Sequence, residues 1–274
     1  MRPRDADGNG GALRHLAVAG SLLGMWLPEF QAIVDRAGAR RDESPLELRI
    51  DDPQSGRIVG EASFDAYRDW STEWLRVRDA RAREIAMTVG EARVVGEFEV
   101  GLTQDGETSS LPVAVVVEPD FETGQLWVRV YHSQWPLLGQ HVLRPPLLSR
   151  DPNVRESDVV GEYQSALAAG DTDRITATFE PDGCFREPAG GEFRVCGTDV
   201  LRDFFGHFFS VGGGITLEHC TVTEDGTRTA LEFNAVKWGS TDMPPQAGVA
   251  VYERGATGRL REARVYDDVD PPLD

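Results

Sequence analysis

The stretch Asp158-Val159-Val160-Gly161-Glu162-Tyr163-Gln164-Ser165-Ala166-Leu167-Ala168-Ala169-Gly170-Asp171 decides the fold. Ser157 and Asp158 can cap a helix. Val159, Val160, Tyr163 and Leu167 then recur on one helical face. Gly170-Asp171 ends that helix and opens the next, Thr172 to Phe179. A short strand is expected around Cys184 to Glu187, then a turn through Pro188-Ala189-Gly190-Gly191 and a third helix from Asp199 to Phe209. Gly212-Gly213-Gly214 reads as a helix end and turn. From Ile215 the period changes to that of strands: Ile215–Glu224, Arg228–Trp238, Gly248–Arg254 and Leu260–Asp267. Turns at Glu224-Asp225-Gly226 and Gly255-Ala256-Thr257-Gly258 separate them. Three helices followed by long strands predict an α+β layout, with the helices on one face of a curved antiparallel sheet.

Working upstream, Pro145-Pro146 forbids regular structure, so residues 143–152 read as a linker near the middle of the chain. Before it, Phe64 to Arg78 is expected to be helical, and Ala82–Thr88, Ala92–Leu102, Leu111–Glu118 and Gln125–His132 to be strands, with a hairpin turn at Asp105-Gly106. Landmarks repeat across the linker. Gly197 follows Gly60 by 137 residues, while Arg264-Val265-Tyr266 follows Arg129-Val130-Tyr131, and Glu187-Pro188 follows Asp52-Pro53, by 135. Similar offsets at three separated places indicate duplication of one unit. The expected domains are 12–142, a degenerate copy, and 153–274, the copy with the working pocket.

The run Tyr163…Gly170-Asp171…Phe179-Glu180-Pro181-Asp182-Gly183-Cys184-Phe185-Arg186-Glu187-Pro188…Gly197…Leu201…Phe204-Phe205 resembles the opening of ketosteroid isomerases and SnoaL-like polyketide cyclases, within the nuclear transport factor 2-like superfamily. The resemblance implies two tandem cone-shaped domains, paired within one chain as a monomeric pseudo-dimer. It implies a base at Glu187 and an oxyanion donor at Tyr163, because proton transfer beside a carbonyl needs both in a dry pocket. Asp52 takes the base position of the first copy. Phe185, Phe205, Trp238 and His132 are the expected substrate contacts. Ketosteroid isomerase also uses a protonated carboxylic acid as a second donor. That acid belongs near Gly248–Val251, where this chain has no acidic residue.

Each residue also has a plainer reading. Tyr163 fits a core, Glu187 fits an edge carboxylate paired with an arginine, and Trp238 fits either pocket or core. His132 fits a surface or interface contact. The function implied is a cofactor-independent isomerase or cyclase acting on an apolar, carbonyl-bearing small molecule such as a polyketide or terpenoid intermediate. An epoxide hydrolase or epoxide-opening cyclase is the second reading. It needs paired carboxylates, which Asp52 with Asp79 would supply, whereas Glu187 has no equally placed partner in the sequence. A non-catalytic binding protein is the third.

Composition narrows the partners. A net charge of −18 repels phosphate backbones and anionic lipid, so neither nucleic acid nor a membrane surface is expected. No phosphate loop, metal-ligand motif or nucleophile elbow occurs, so no cofactor and no metal are expected. No apolar run spans a bilayer. Leu16–Leu23 reads as a helix behind a loose tail, and the expected compartment is the cytoplasm. Cys184, Cys196 and Cys220 form an odd, widely spaced set, which argues against a disulfide and for small buried hydrophobes.

Overall fold

A computed structural model of the chain describes residues 47–60, 73, 76, 79–104, 106–120, 122–156, 158–189, 193–210 and 212–272. The expected helix Phe64–Arg78 lies outside them except for Glu73 and Arg76, and Leu16–Leu23 lies outside them entirely. The chain divides into two units. One holds residues up to Ser109 together with Val115–Val130, the other Ser110–Ala114 together with Tyr131–Asp274.

The first sheet is built from β1 (Glu47–Asp52), β2 (Gly56–Val59), β3 (Arg81–Val89), β4 (Val94–Gln104), β5 (Glu107–Asp120) and β6 (Gln125–Tyr131). Its order is β2-β1-β6-β5-β4-β3. Strand β1 pairs antiparallel with β2 and parallel with β6. The four expected strands are present as β3 to β6, with β3 and β5 longer at both ends, β4 shifted two residues toward the C-terminus and β6 one residue shorter, and β1 and β2 are additional.

The second unit begins with a short helix, α1 (Trp135–Leu138). Helices α2 (Val159–Ala169) and α3 (Thr172–Thr178), strands β7 (Phe179–Arg186) and β8 (Arg194–Cys196), and helix α4 (Thr198–Phe208) follow. Strands β9 (Ile215–Glu224), β10 (Arg228–Trp238), β11 (Thr241–Arg254) and β12 (Leu260–Tyr266) complete it. Its sheet order is β8-β7-β12-β11-β10-β9, with β7 parallel to β12. Strand by strand this repeats the first sheet, including the position of the parallel pair. Two tandem α+β units of one topology are therefore present, as the repeated landmarks indicate.

Local chemistry explains the helices. Asp158 accepts the Val160 N–H at 2.9 Å and opens α2. Gly170, at φ 68°, closes it in a left-handed conformation that costs glycine little. Asp171 accepts the Arg174 N–H at 3.0 Å and opens α3. Helix α2 buries Val160, Tyr163, Ala166 and Leu167, and α4 buries Leu201 and Phe205. They pack on Phe233, Ala235, Ala250 and Tyr252 of the sheet. Strand β11 starts earlier than its Pro244-Pro245 pair suggests, because the register shift opposite Ala235–Lys237 absorbs the prolines.

Two features depart from the sequence reading. Cys184 and Cys196 are directly opposed across β7 and β8, with Cα atoms 4.1 Å apart, and form a disulfide; Cys220 is a buried thiol. The expectation of three unlinked cysteines fails because β8 was not anticipated, and β8 supplies the pairing. Residues 143–152 group with the second unit and bond to its strands. Ala247 N–H donates to the Arg144 carbonyl, and Asp151 N–H to the His219 carbonyl, each at 2.9 Å. No helix among the described residues is long and apolar enough to cross a membrane.

Candidate functional site

Strand periodicity builds one cavity in the second unit. Phe185 and Glu187 lie two apart at the end of β7. Val265 and Asp267 lie two apart at the end of β12, the parallel neighbour. Phe233 and Ala235 do the same on β10, and Ile215 and Leu217 on β9. Side chains two apart share a face, and all eight line a single cavity of about 240 Å³. Tyr163 and Leu167 of α2 and Phe205 and Phe208 of α4 close its other side, with Trp238. Trp238 donates its indole N–H to the Phe208 carbonyl at 3.2 Å, which fixes the ring against α4.

Five expected site residues, Glu187, Tyr163, Phe185, Phe205 and Trp238, meet in this cavity. Glu187 is half-buried and has no ion pair among the described residues. Loss of hydration pushes its carboxyl up to about 7, helped by the charge of Asp267 and opposed by His141. Tyr163 is 2% exposed and ringed by Phe179, Phe205 and Tyr252. Among the described residues nothing hydrogen-bonds its hydroxyl. Burial holds that hydroxyl well above the ordinary phenol range, so it stays a donor.

Asp267 is the residue that sequence reasoning missed. Antiparallel pairing of Val249 with Tyr266 places Gly248 opposite Asp267. A Cβ on Gly248 would lie 2.6 Å from the Phe233 ring and 2.8 Å from the Asp267 Cβ. Only glycine leaves room for both. Asp267, at the end of the next strand, thus lies over the glycine, beside the Gly248–Val251 stretch that has no acidic residue. Burial raises the Asp267 carboxyl to about 7, with the Val269 N–H and His141 opposing and Asp268 adding to the rise. A signal was available: the 135-residue offset sets Asp267 opposite His132.

His141 is the second addition. It comes from the segment after α1, with Trp135 beside it, their ring centroids 5.0 Å apart. His132, the expected contact, is buried against the Ser133 carbonyl and is not among the cavity-lining residues. Asp52 sits in the other unit, where its Oδ1 accepts the N–H groups of Gln54 and Ser55 at 2.8 and 3.0 Å. That is the bonding of a turn residue. Asp79 is exposed and bound to Arg81 at 3.0 Å. Among the described residues no cluster of His, Cys, Asp and Glu would hold a metal ion.

The family profile of the SnoaL-like domain matches residues 160–263, within the second unit. A provisionally assigned polyketide cyclase from Sinorhizobium meliloti is 19% identical over 40% of this chain and 94% of its own, with a TM-score of 0.34. TerC, crystallised with polyporic acid, is 18% identical over 40% of this chain and 88% of its own, with a TM-score of 0.35. A hypothetical protein of ketosteroid isomerase-like fold from Catenulispora acidiphila, in complex with trimethylamine, is 11% identical over 41% of this chain and 87% of its own, with a TM-score of 0.35. No curated protein shows significant sequence similarity to the chain.

Proposed function

We propose that the second unit is a cofactor-independent isomerase or cyclase that moves a proton on an apolar, carbonyl-bearing small molecule. The observation that carries this is the joint presence of Glu187, Asp267 and Tyr163 in one aromatic cavity. Two carboxyls that titrate near neutrality in the same cavity favour a state in which one is ionised and the other protonated. Ionised Glu187 takes the C–H proton beside the carbonyl. The Tyr163 hydroxyl and protonated Asp267 donate hydrogen bonds to the oxygen that becomes negative. Glu187 then returns the proton at another carbon, or the enolate closes a ring. An apolar cavity of roughly 150 Å³ holds benzene, so about 240 Å³ suits one ring or two small fused rings.

A base in such a cavity is tested with 5-nitrobenzisoxazole, from which a base removes the C3 proton as the N–O bond breaks to give a nitrile and a phenolate. Glu187→Gln should lower that rate about 10²–10⁴-fold. Tyr163→Phe should lower it about 10²–10³-fold, the weight of one oxyanion donor. A wild-type rate no faster than free acetate, unchanged in Glu187→Gln, leaves a binding role. The second reading, epoxide opening, is favoured by the same observation, since Asp267 now gives Glu187 its partner. One carboxyl would protonate the epoxide oxygen while the other activates water. Turnover of styrene oxide to its diol, lost in both Glu187→Gln and Asp267→Asn, would select it.

A further inference from the structure

Five histidines are available, and His141 reaches this cavity from outside the SnoaL-like match. Its Nδ1 lies 3.0 Å from Asp268 Oδ1. Asp268 is 4% exposed and, among the described residues, holds only this segment: the Ser133 hydroxyl donates to Oδ1 at 2.7 Å and the Val142 N–H to Oδ2 at 2.8 Å. The Trp135 N–H donates to the Ser133 hydroxyl at 3.0 Å. The Trp135 ring packs on the imidazole. The segment is thus anchored at one buried carboxylate, which fixes the ring and engages Nδ1. Nε2 has no partner among the described residues, and the ring lines the cavity that holds Glu187 and Asp267. A buried carboxylate on one imidazole nitrogen, with the other nitrogen open toward a reaction cavity, is the arrangement that orients a general acid or base.

We propose that His141 is a catalytic residue of the second unit, its Nε2 delivering a proton to the substrate oxygen, with Asp268 as its positioning residue. The inference rests on the proton-transfer reading above and deepens it. The substrate then carries a leaving or developing oxygen that must end protonated, as in loss of water after enolisation or opening of an epoxide. In the first case Glu187 takes the C–H proton, the C–O bond breaks, and His141 protonates the departing hydroxyl as water. The charged groups around the imidazole are Asp268, Asp267, Asp270 and Glu187, all acidic. Asp268 holds the imidazole above its usual range against the loss of hydration, and Asp270 and Asp267 act in the same direction. The donor form therefore persists to higher pH than in a free imidazole.

The test compares 5-nitrobenzisoxazole with unsubstituted benzisoxazole, whose phenolate is the poorer leaving group. An acid matters more for the poorer leaving group, so His141→Gln should slow the unsubstituted compound about 10²-fold and the nitro compound far less. Asp268→Asn should lower the His141 pKa and move the alkaline decline on the unsubstituted compound to lower pH. If Asp268→Asn does not fold, the leaving-group comparison in His141→Gln stands alone, with melting curves as its control. Equal slowing of both compounds, or of neither, while Glu187→Gln still slows both, overturns the role of His141 and leaves the base intact. If Glu187→Gln slows neither compound, the proton-transfer reading itself fails.

Discussion

Gly248 and Asp267 are one device at the scale of the residue. The glycine has no side chain because the Phe233 ring and the Asp267 Cβ occupy the space a methyl would take. Gly248→Ala should cost about 1–3 kcal/mol, the range for overpacking a close-fitting core, and should displace Asp267. A melting curve measures the first effect and a pH–rate profile the second. Asp267→Asn should act on Glu187 directly. The Asp267 charge raises the Glu187 carboxyl, so its removal lowers that pKa and moves the rise in rate to lower pH. An unmoved profile would mean that the two carboxyls do not sense each other. Glu187, Tyr163 and the aromatic lining were pointed to by the family resemblance carried by Tyr163…Gly170-Asp171 and Phe185-Arg186-Glu187-Pro188. Asp267 was not, because only the pairing register of β11 with β12 brings it over Gly248.

At the scale of the element, the β7–β8 hairpin carries the cavity rim. Glu187, Pro188, Ala189 and Phe193 line the cavity. They lie between Cys184 and Cys196, which are 12 residues apart in sequence. A cross-link over so short a loop contributes about 2–3 kcal/mol, chiefly by limiting the unfolded chain. Cys196→Ser, or reduction of the wild type, should lower the melting temperature accordingly and raise KM for a cavity ligand, because the rim loses its staple. Equal melting with and without reductant would show that the two sulfurs are not linked in solution. The strands β9 to β12 were readable from period and turns, whereas β8 was not. It has three residues, too short for any period to emerge. The segment bearing His141 was hidden for another reason. It was read as the end of the first copy, 12–142, and the hydrogen bonds of Arg144 and Asp151 to sheet residues far along the chain are invisible in sequence.

For the whole molecule, the acidic groups set how stability follows pH. Glu156, Glu187 and Asp267 each have carboxyls raised to about 7, chiefly by loss of hydration. Their unfolded values are near 4. Between those limits the folded chain binds more protons than the unfolded chain, so stability falls as pH rises. His141, raised by Asp268, acts in the same direction, its contribution being lost as pH climbs past its folded value. His219 opposes them: burial lowers it, so folding loses stability as pH drops through about 6.5. Asp120 and Glu262, held below the usual range, set the acid limit, because their contribution disappears as pH falls through the depressed values. A net charge of −18 adds self-repulsion that eases on mild acidification. The balance of three raised carboxyls and one raised histidine against one lowered histidine places the maximum on the acid side of neutrality. Calorimetry should find a higher melting temperature at about pH 5.5 than at about pH 8. The discriminating variant is Asp267→Asn, which removes a charge that is costly to bury only when ionised. It should raise the melting temperature at about pH 8 and change it little at about pH 5.5. A variant destabilised equally at both pH values would show that Asp267 is ionised throughout and paired, and that it does not supply the protonated acid on which the proposed chemistry depends.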